Sequence, residues 1–161
     1  MTMTQDSYLE TLVQYYDEEI EGEAYFETLA NLTADPTQKE ALSLLAQVEH
    51  HAAKGVAPLL VKHSLTPGDA AALRASGHKD AAGSWAGWDE LLDDMDSTYS
   101  GYLDDFRALE ALGPSEDQPI LAFLSEHEVA AIAFLEKARS DLNAAMTPLR
   151  NYLASPAPVA R

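Results

Sequence analysis

Cysteine is absent from this 161-residue sequence, and basic residues are few. Without cysteine the chain has no disulfide framework, no thiolate zinc site and no cysteine nucleophile. Only 10 lysines and arginines accompany 27 aspartates and glutamates, which gives a formal net charge of −17. Such a charge repels nucleic-acid phosphates and anionic membrane surfaces, so we predict neither nucleic acid nor membrane as a partner.

The sequence also lacks a long apolar run and an N-terminal signal peptide, since no basic region is followed by an apolar stretch. These features favour a cytoplasmic location. Apolar residues make up 47% of the chain, enough for one domain with a substantial core. Alanine and leucine are frequent while valine and isoleucine are scarce, and this balance favours helix over sheet.

Four long stretches carry apolar residues at alternating spacings of three and four, which is the period of an amphipathic helix. The predicted helices span 7–32, 38–63, 85–112 and 118–145. Thr37, with Glu40 three residues later, has the form of a capping box at the start of the second helix. We predict one domain over 1–147 and a disordered tail over 148–161.

The lengths of the connections predict how these helices are arranged. Short turns make the first and second helices antiparallel neighbours, and likewise the third and fourth. The connection between the second and third helices, about twenty residues with a short predicted helix at 68–75, is long enough to run the length of the structure. The third helix can then start at the end of the structure where the second helix also starts. The prediction is an all-α, antiparallel four-helix bundle with one long crossover.

Three of the apolar stripes are interrupted near their centre by a glutamate: Glu19, Glu49 and Glu128. The segments 42–56 and 121–135 align without a gap and match Glu49 with Glu128. Buried ionised carboxylates are unfavourable and repel one another, so such a cluster needs compensation. A bound metal cation is one form of compensation and a proton shared between carboxylates is another. A third interpretation is that each glutamate is solvated at the edge of its stripe.

His127 is the histidine best placed to join these carboxylates. It lies between two phenylalanines at helical spacing, so both core-edge packing and metal ligation are open. It directly precedes Glu128, however, and a rotation of about 100° per residue argues against both side chains pointing straight inward. His50 leaves the apolar stripe and is predicted to face solvent. Asp94 would reach the interior only if the third helix were rotated.

The helix order, the long second connection and the glutamates make residues 7–145 resemble the ferritin-like superfamily, in the style of rubrerythrin and bacterioferritin. The segment EIEGEAYFETLA at 19–30 looks like that family's first metal helix. There a ligand glutamate is followed three residues later by a small residue and seven later by an aromatic one, which Glu19, Gly22 and Phe26 fit. The resemblance implies a metal site, commonly with two irons, used in oxygen activation, peroxide reduction, iron storage or hydroxylation.

The chain departs from the family pattern on three helices. The family has Glu-x-x-His on its second and fourth helices, but here Ala52 follows Glu49 and Ala131 follows Glu128 at that spacing. On the third helix Tyr99 stands where the family has a glutamate. These departures argue against a six-ligand di-iron site and favour a mononuclear or altered one.

Two hypotheses follow from these residues. In the first, the chain is a ferritin-like protein, oxidoreductase in type, that binds iron or manganese through Glu19, Glu49, Glu128 and His127. In the second, a bundle of the same ancestry has lost its metal and serves as a small-molecule-binding or assembly module. Both hypotheses fail if the carboxylates face bulk solvent. The substrate, the identity of the metal and a homo-oligomeric state are left open.

Overall fold

The computed structural model describes residues 3–161, with side chains from Gln5 onward. All regular structure in that range is helical, which confirms the predicted all-α class. The helices are α1 (Met3–Leu32), α2 (Pro36–Lys62), α3 (Ala70–Ser84), α4 (Trp88–Leu112), α5 (Gln118–Ala138) and α6 (Leu142–Ala154), with a short 3-10 turn at Ser115–Asp117. None of these helices is long and apolar enough to cross a membrane.

The start of α2 is set by an aspartate followed by a proline. The Asp35 carboxylate accepts hydrogen bonds from the N–H groups of Thr37 and Gln38 at 3.0 and 2.9 Å. Pro36 occupies the first turn, where no N–H group is needed. The predicted capping box at Thr37 and Glu40 is therefore wrong, because the helix is capped two residues earlier by Asp35, which accepts from its free N–H groups.

The four longest helices contact one another in a closed ring: α1 packs on α2, α2 on α5, α5 on α4, and α4 on α1. Asp117, just before α5, accepts a hydrogen bond from Tyr8 of α1 and pairs with His63 at the end of α2. A Cβ placed on Gly113, which follows α4, would lie 3.2 Å from the Tyr8 ring. The starts of α1 and α5 therefore lie at the same end of the structure as the ends of α2 and α4.

The long connection between α2 and α4 is built around α3, which packs on α1. The short helix predicted at 68–75 is in fact longer, and Asp69 caps its start by accepting a hydrogen bond from the Ala72 N–H at 2.9 Å. Gly77 permits the close approach of the two helices, since a Cβ there would lie 2.2 Å from the Glu21 carbonyl oxygen. Helix α3 thereby adds a wall beside the middle of α1.

The predicted disordered tail over 148–161 is wrong for its first part. Helix α5 ends at Ala138, before the predicted end at 145, and α6 then continues to Ala154 and packs on α2 and α5. The apolar period continues past Pro148, and four side chains of α6 are buried: Ala145, Met146, Leu149 and Tyr152. These residues order the segment because they extend the core.

An apolar core fills the space between the helices. Burial of one of its leucine side chains, such as Leu42 or Leu121, stabilises the fold by about 1.5–3 kcal/mol. Several polar residues are also buried there, and they include Glu19, Glu49, Asp117, Ser125, His127 and Glu128. A buried charge is unfavourable unless it is paired, so these positions require a specific explanation.

Candidate metal centre

Glu19, Glu49 and Glu128 come together in the interior, one each from α1, α2 and α5. Their exposed fractions are 3%, 9% and 5%. The interpretation that they are solvated residues at the edges of their stripes is therefore wrong. Three helices supply one carboxylate each to a single buried cluster.

His127 joins the cluster through its Nε2 atom. This atom lies 3.0 Å from Glu19 Oε1, 3.1 Å from Glu128 Oε1 and 3.5 Å from Glu49 Oε2, and the residue is 1% exposed. The other ring nitrogen, Nδ1, contacts the Leu124 carbonyl oxygen. Because a carbonyl oxygen can only accept a hydrogen bond, Nδ1 carries a proton. In the neutral ring, Nε2 then presents a lone pair to three carboxylates.

These short distances are not accompanied by well-directed hydrogen bonds. His127 Nε2, Glu19 Oε2 and Glu128 Oε2 are buried and have no hydrogen-bond partner among the described residues. Leaving such an atom unpaired costs about 1–3 kcal/mol. Lone pairs and carboxylates directed at one point are unfavourable unless a cation or protons lie among them.

The spacing of the donor atoms fits one metal ion. Ligand atoms of Glu19, Glu49 and His127 all lie within 4.8 Å of one another. Metal bonds of about 2.0–2.2 Å place neighbouring ligand atoms about 3.0–3.5 Å apart, which is the range of the distances from His127 Nε2. Glu128 lies outside that group, although its Oε1 is 3.1 Å from His127 Nε2. Carboxylates with one imidazole form a mixed oxygen and nitrogen set that suits iron, manganese or zinc. The residues present therefore fit a single divalent cation.

Gly22 makes room for the Glu49 side chain. A Cβ added at Gly22 would lie 3.1 Å from Glu49 Cδ and 3.2 Å from its Oε1. Gly22 follows Glu19 by nearly one helical turn and so faces the cluster from the same side of α1. The small residue in the segment 19–30 thus has a packing reason of its own, independent of the family resemblance.

The pKa values show how the cluster balances its charge without a metal. Burial and then the charge of Glu49 raise the pKa of Glu19 well above its ordinary value, and burial also raises that of Glu128. Burial alone would raise the pKa of Glu49, but short polar contacts with Glu19 and His127 outweigh it and the pKa is lowered.

The pKa of His127 is also displaced. Burial alone would lower it, but the carboxylates, Glu19 first among them, raise it well above its ordinary value. One proton on Glu19 and a second on His127 carry the same charge as a divalent cation. Metal binding and protonation are therefore competing ways to compensate the same carboxylates.

Aromatic rings border the cluster. The rings of Phe106 and His127 pack edge to face with centroids 5.0 Å apart, and Tyr152 of α6 lies 6.4 Å from the same imidazole. Burial, followed by the nearby glutamate charges, raises the pKa of Tyr99 well above its ordinary value. Tyr99 therefore adds no negative charge at neutral pH.

A cleft of about 390 Å³ connects the cluster with the surface between α1, α3 and α4. Its lining includes the three buried glutamates of the cluster as well as residues that are exposed, such as Asp94 and Tyr102. A small molecule that enters the cleft can therefore approach Glu19 and Glu128 without unfolding of the protein.

Two other candidates lie outside the cluster. His50 is largely exposed, and its Nδ1 lies 3.2 Å from Glu23 Oε2 on the surface. Asp94 is exposed at the mouth of the cleft. The predicted solvent-facing position of His50 is confirmed.

His127 and Glu128 are both buried, although adjacent helical residues were predicted not to point straight at the axis together. Helix α5 contacts α2, α4 and α6, so most of its circumference is covered. His127 and Glu128 are both buried and converge on the same point from adjacent positions of the helix. The contact of Nδ1 with Leu124 fixes the orientation of the ring. No spacing in the sequence predicts the burial of both side chains, because this burial depends on the packing of α6 against α5.

A fourth buried carboxylate, Asp117, was not indicated by any motif. It accepts hydrogen bonds from Tyr8 Oη at 2.7 Å and Lys62 Nζ at 2.5 Å, and it lies 2.6 Å from His63 Nε2. Burial alone would raise its pKa, but these partners lower it. Asp117 has its charge compensated within the protein, so it joins α1, α2 and α5 rather than forming a ligand site.

Comparison of the chain with protein-family models, curated proteins and solved structures gives no match. The functional argument therefore rests on the chemistry and geometry of the cluster itself.

Proposed function

We propose that this chain is a ferritin-like protein that binds one divalent metal ion, iron or manganese, through Glu19, Glu49, Glu128 and His127. The proposal is carried by one observation: His127 Nε2 lies within 3.5 Å of three buried carboxylates and has no hydrogen-bond partner among the described residues. A divalent ion bound among these atoms would compensate the carboxylates and use the imidazole lone pair.

The directions of the helices support a ferritin-like four-helix bundle as part of this proposal. Contacts near Tyr8 and Asp117 bring the starts of α1 and α5 to the ends of α2 and α4. That order requires the long connection between α2 and α4 to return along the structure. In ferritin-like bundles with one such crossover, ligands project inward from facing helices, as Glu19, Glu49 and Glu128 do here.

Several residues prepare the site for chemistry with a small molecule. The Leu124 carbonyl holds His127 in the tautomer that leaves Nε2 free to ligate. Phe106 and Tyr99 limit the access of water on the α4 side, while the cleft keeps one route open. A bound iron or manganese ion would supply Lewis acidity and a change of oxidation state. We therefore propose an oxidoreductase type of activity, in a cytoplasmic protein whose oligomeric state remains to be measured.

Metal analysis of protein purified without chelator tests the proposal. We expect close to one iron or manganese per chain in the unaltered protein and loss of that metal in the double variant Glu19→Gln with Glu128→Gln. Glu126→Gln is the matched control, because Glu126 precedes His127 on α5 and is exposed. The proposal is refuted if neither ion binds stoichiometrically after reconstitution of the unaltered protein.

The metal-free module remains the second candidate, and the raised pKa values of His127 and Glu19 favour it. Two protons would then compensate the carboxylates permanently, and the chain would act in small-molecule binding or assembly. Under this candidate, Glu49→Leu with Glu128→Leu raises the free energy of unfolding, because apolar residues often replace buried charges favourably. Under the metal proposal, the same pair of substitutions abolishes metal binding.

A further inference from the structure

The cleft outside the metal centre combines aromatic walls with an acidic rim. Six rings of α1 and α4 line it: Tyr15, Tyr25, Phe26, Tyr99, Tyr102 and Phe106. Five carboxylates from α1, α3 and α4 surround them: Glu18, Glu21, Asp80, Asp94 and Asp105. Among the described side chains, no lysine, arginine or histidine belongs to this lining.

The five rim carboxylates are absent from the ion pairs that the described residues form. The contrast is sharp on α4. Asp93 and Asp96 both pair with Arg139, at 2.5 and 2.6 Å, whereas Asp94 between them faces the cleft without a basic partner. The lysines and arginines that form these ion pairs thus compensate acidic residues outside the cleft.

The carboxylates of the rim repel one another. Burial and then the charges of Asp105 and Glu18 raise the pKa of Tyr15 on the cleft wall. A cation held between α1, α3 and α4 would relieve this repulsion.

Unpaired carboxyl oxygens are also present at the inner end of the cleft. Glu19 Oε2 and Glu128 Oε2 are buried and have no hydrogen-bond partner among the described residues, and both side chains line the cleft. An elongated ligand would therefore find acceptors for positive groups at the floor and at the rim, with aromatic rings between them.

We infer that the cleft binds a linear organic cation with more than one ammonium group, a diamine or a polyamine. Ammonium groups match carboxylates at both ends of the cleft, and a methylene chain packs on the aromatic walls between them. The rings also attract cations through their faces. The volume of about 390 Å³ lies within the range of small-molecule sites, about 300–1,000 Å³. This binding goes beyond the proposed metal centre and does not require a metal.

Calorimetric titration of spermidine into metal-free protein tests the inference at about 0.15 M salt, where exposed charges are screened. We expect saturable binding of one spermidine per chain. Asp94→Asn with Asp105→Asn should weaken it at least about tenfold, since two charge-assisted contacts are lost. Asp89→Asn with Asp104→Asn is the control with the same charge change on α4 outside the lining, and it should alter the affinity less than about twofold.

The aromatic contribution is tested at Tyr102, which is 46% exposed, so its replacement leaves the core intact. Tyr102→Phe should bind spermidine as the unaltered protein does, because the ring remains. Tyr102→Leu should bind about two- to fivefold more weakly, the loss expected for a cation–π contact at an exposed site.

Hexaamminecobalt(III) has the charge of spermidine but no carbon chain, and we expect it to bind more weakly. Equal affinity for the two cations, equal losses in the two double variants, or no saturable spermidine binding would each overturn the inference. Metal analysis separates this result from the proposed function. A protein that binds spermidine but no iron or manganese refutes only the metal proposal, and the converse result refutes only the polyamine inference.

Discussion

His127 Nε2 lies 3.0 Å from Glu19 Oε1, yet the nitrogen has no hydrogen-bond partner among the described residues. The other ring nitrogen, Nδ1, donates a hydrogen bond to the Leu124 carbonyl oxygen. In the neutral ring, the lone pair of Nε2 is therefore directed at the carboxylates. Two charged states can stabilise this pair of residues: a protonated imidazole or a bound cation. The predictions below distinguish the two states.

Metal affinity should depend on His127 and not on the exposed histidine of α2. His127→Gln removes the nitrogen donor, and we expect the affinity for Mn²⁺ to fall by more than the 10- to 100-fold that loss of an outer partner typically causes. His50→Gln is the control, because His50 contacts only Glu23 at the surface among the partners described for it. Competition with a metal-sensitive dye measures both affinities, and equal affinities in the two variants would contradict ligation by His127.

Metal binding should release about two protons per divalent ion near neutral pH. The raised pKa values of Glu19 and His127 favour the protonated form of each group in the metal-free protein, and the ion must displace those protons. Calorimetry in two buffers of different ionisation enthalpy measures the number. No proton release would show that the cluster is already ionised and would remove the competition between protons and metal.

The metal-free protein should lose stability as the pH rises through the neutral range. The raised pKa of His127 gives stability that is fully present below its ordinary value of 6.5 and is lost as the pH rises through the folded-state pKa. The pKa of Glu19 is raised above its ordinary 4.5, so the unfolded chain releases that proton first and stability again falls with rising pH. Glu49, with a lowered pKa, adds stability above 4.5 and loses it as the pH falls.

Thermal unfolding at about pH 6 and pH 9, in the presence of chelator, measures this dependence. Glu19→Gln should reduce the slope, because it removes one of the two protons that the fold retains. Excess Mn²⁺ should also reduce the loss of stability at the higher pH. A stability that rises between the two pH values would refute the assignment of protons to His127 and Glu19.

Gly22→Ala should separate metal affinity from stability. Alanine favours a helix over glycine by about 1 kcal/mol, but the new Cβ would lie 3.1 Å from Glu49 Cδ and displace that carboxylate. We expect little net change in the free energy of unfolding and a clear loss of Mn²⁺ affinity. Gly101→Ala on α4 is the control: its Cβ meets nothing within 4 Å, so it should raise stability by about 0.5–1 kcal/mol and leave metal binding unchanged.

Asp117→Leu should destabilise the protein without affecting the metal. The substitution leaves Lys62, His63 and Tyr8 without their shared acceptor. Loss of one member of a buried ion pair costs about 3–5 kcal/mol, and the partial exposure of Lys62 and His63 favours the lower end. Chemical denaturation measures the loss. If the metal content of the folded variant also fell, the two polar clusters would be coupled.

The four long helices and the three interior glutamates were predictable because both depend on local spacing, whereas α6 was divided between a predicted helix and a predicted disordered tail. A period of three and four places Glu19 on the stripe of α1, and the same period places Glu49 and Glu128 on theirs. The start of α2 was misplaced because Thr37 and Glu40 imitate a cap that Asp35 in fact provides. Such errors concern single turns and leave the direction of a helix unchanged.

The amino-acid sequence alone determined that the chain is helical, strongly acidic and equipped with three carboxylates on apolar stripes. Only the tertiary structure decided that His127 turns inward beside Glu128, since α6 covers the side of α5 that would otherwise be wet. The cleft likewise exists because α3 packs beside α1 opposite α4. Hydrophobic periodicity relates residues that are a few positions apart in the chain. Burial instead depends on which helices, distant in sequence, pack over a residue and exclude water from it.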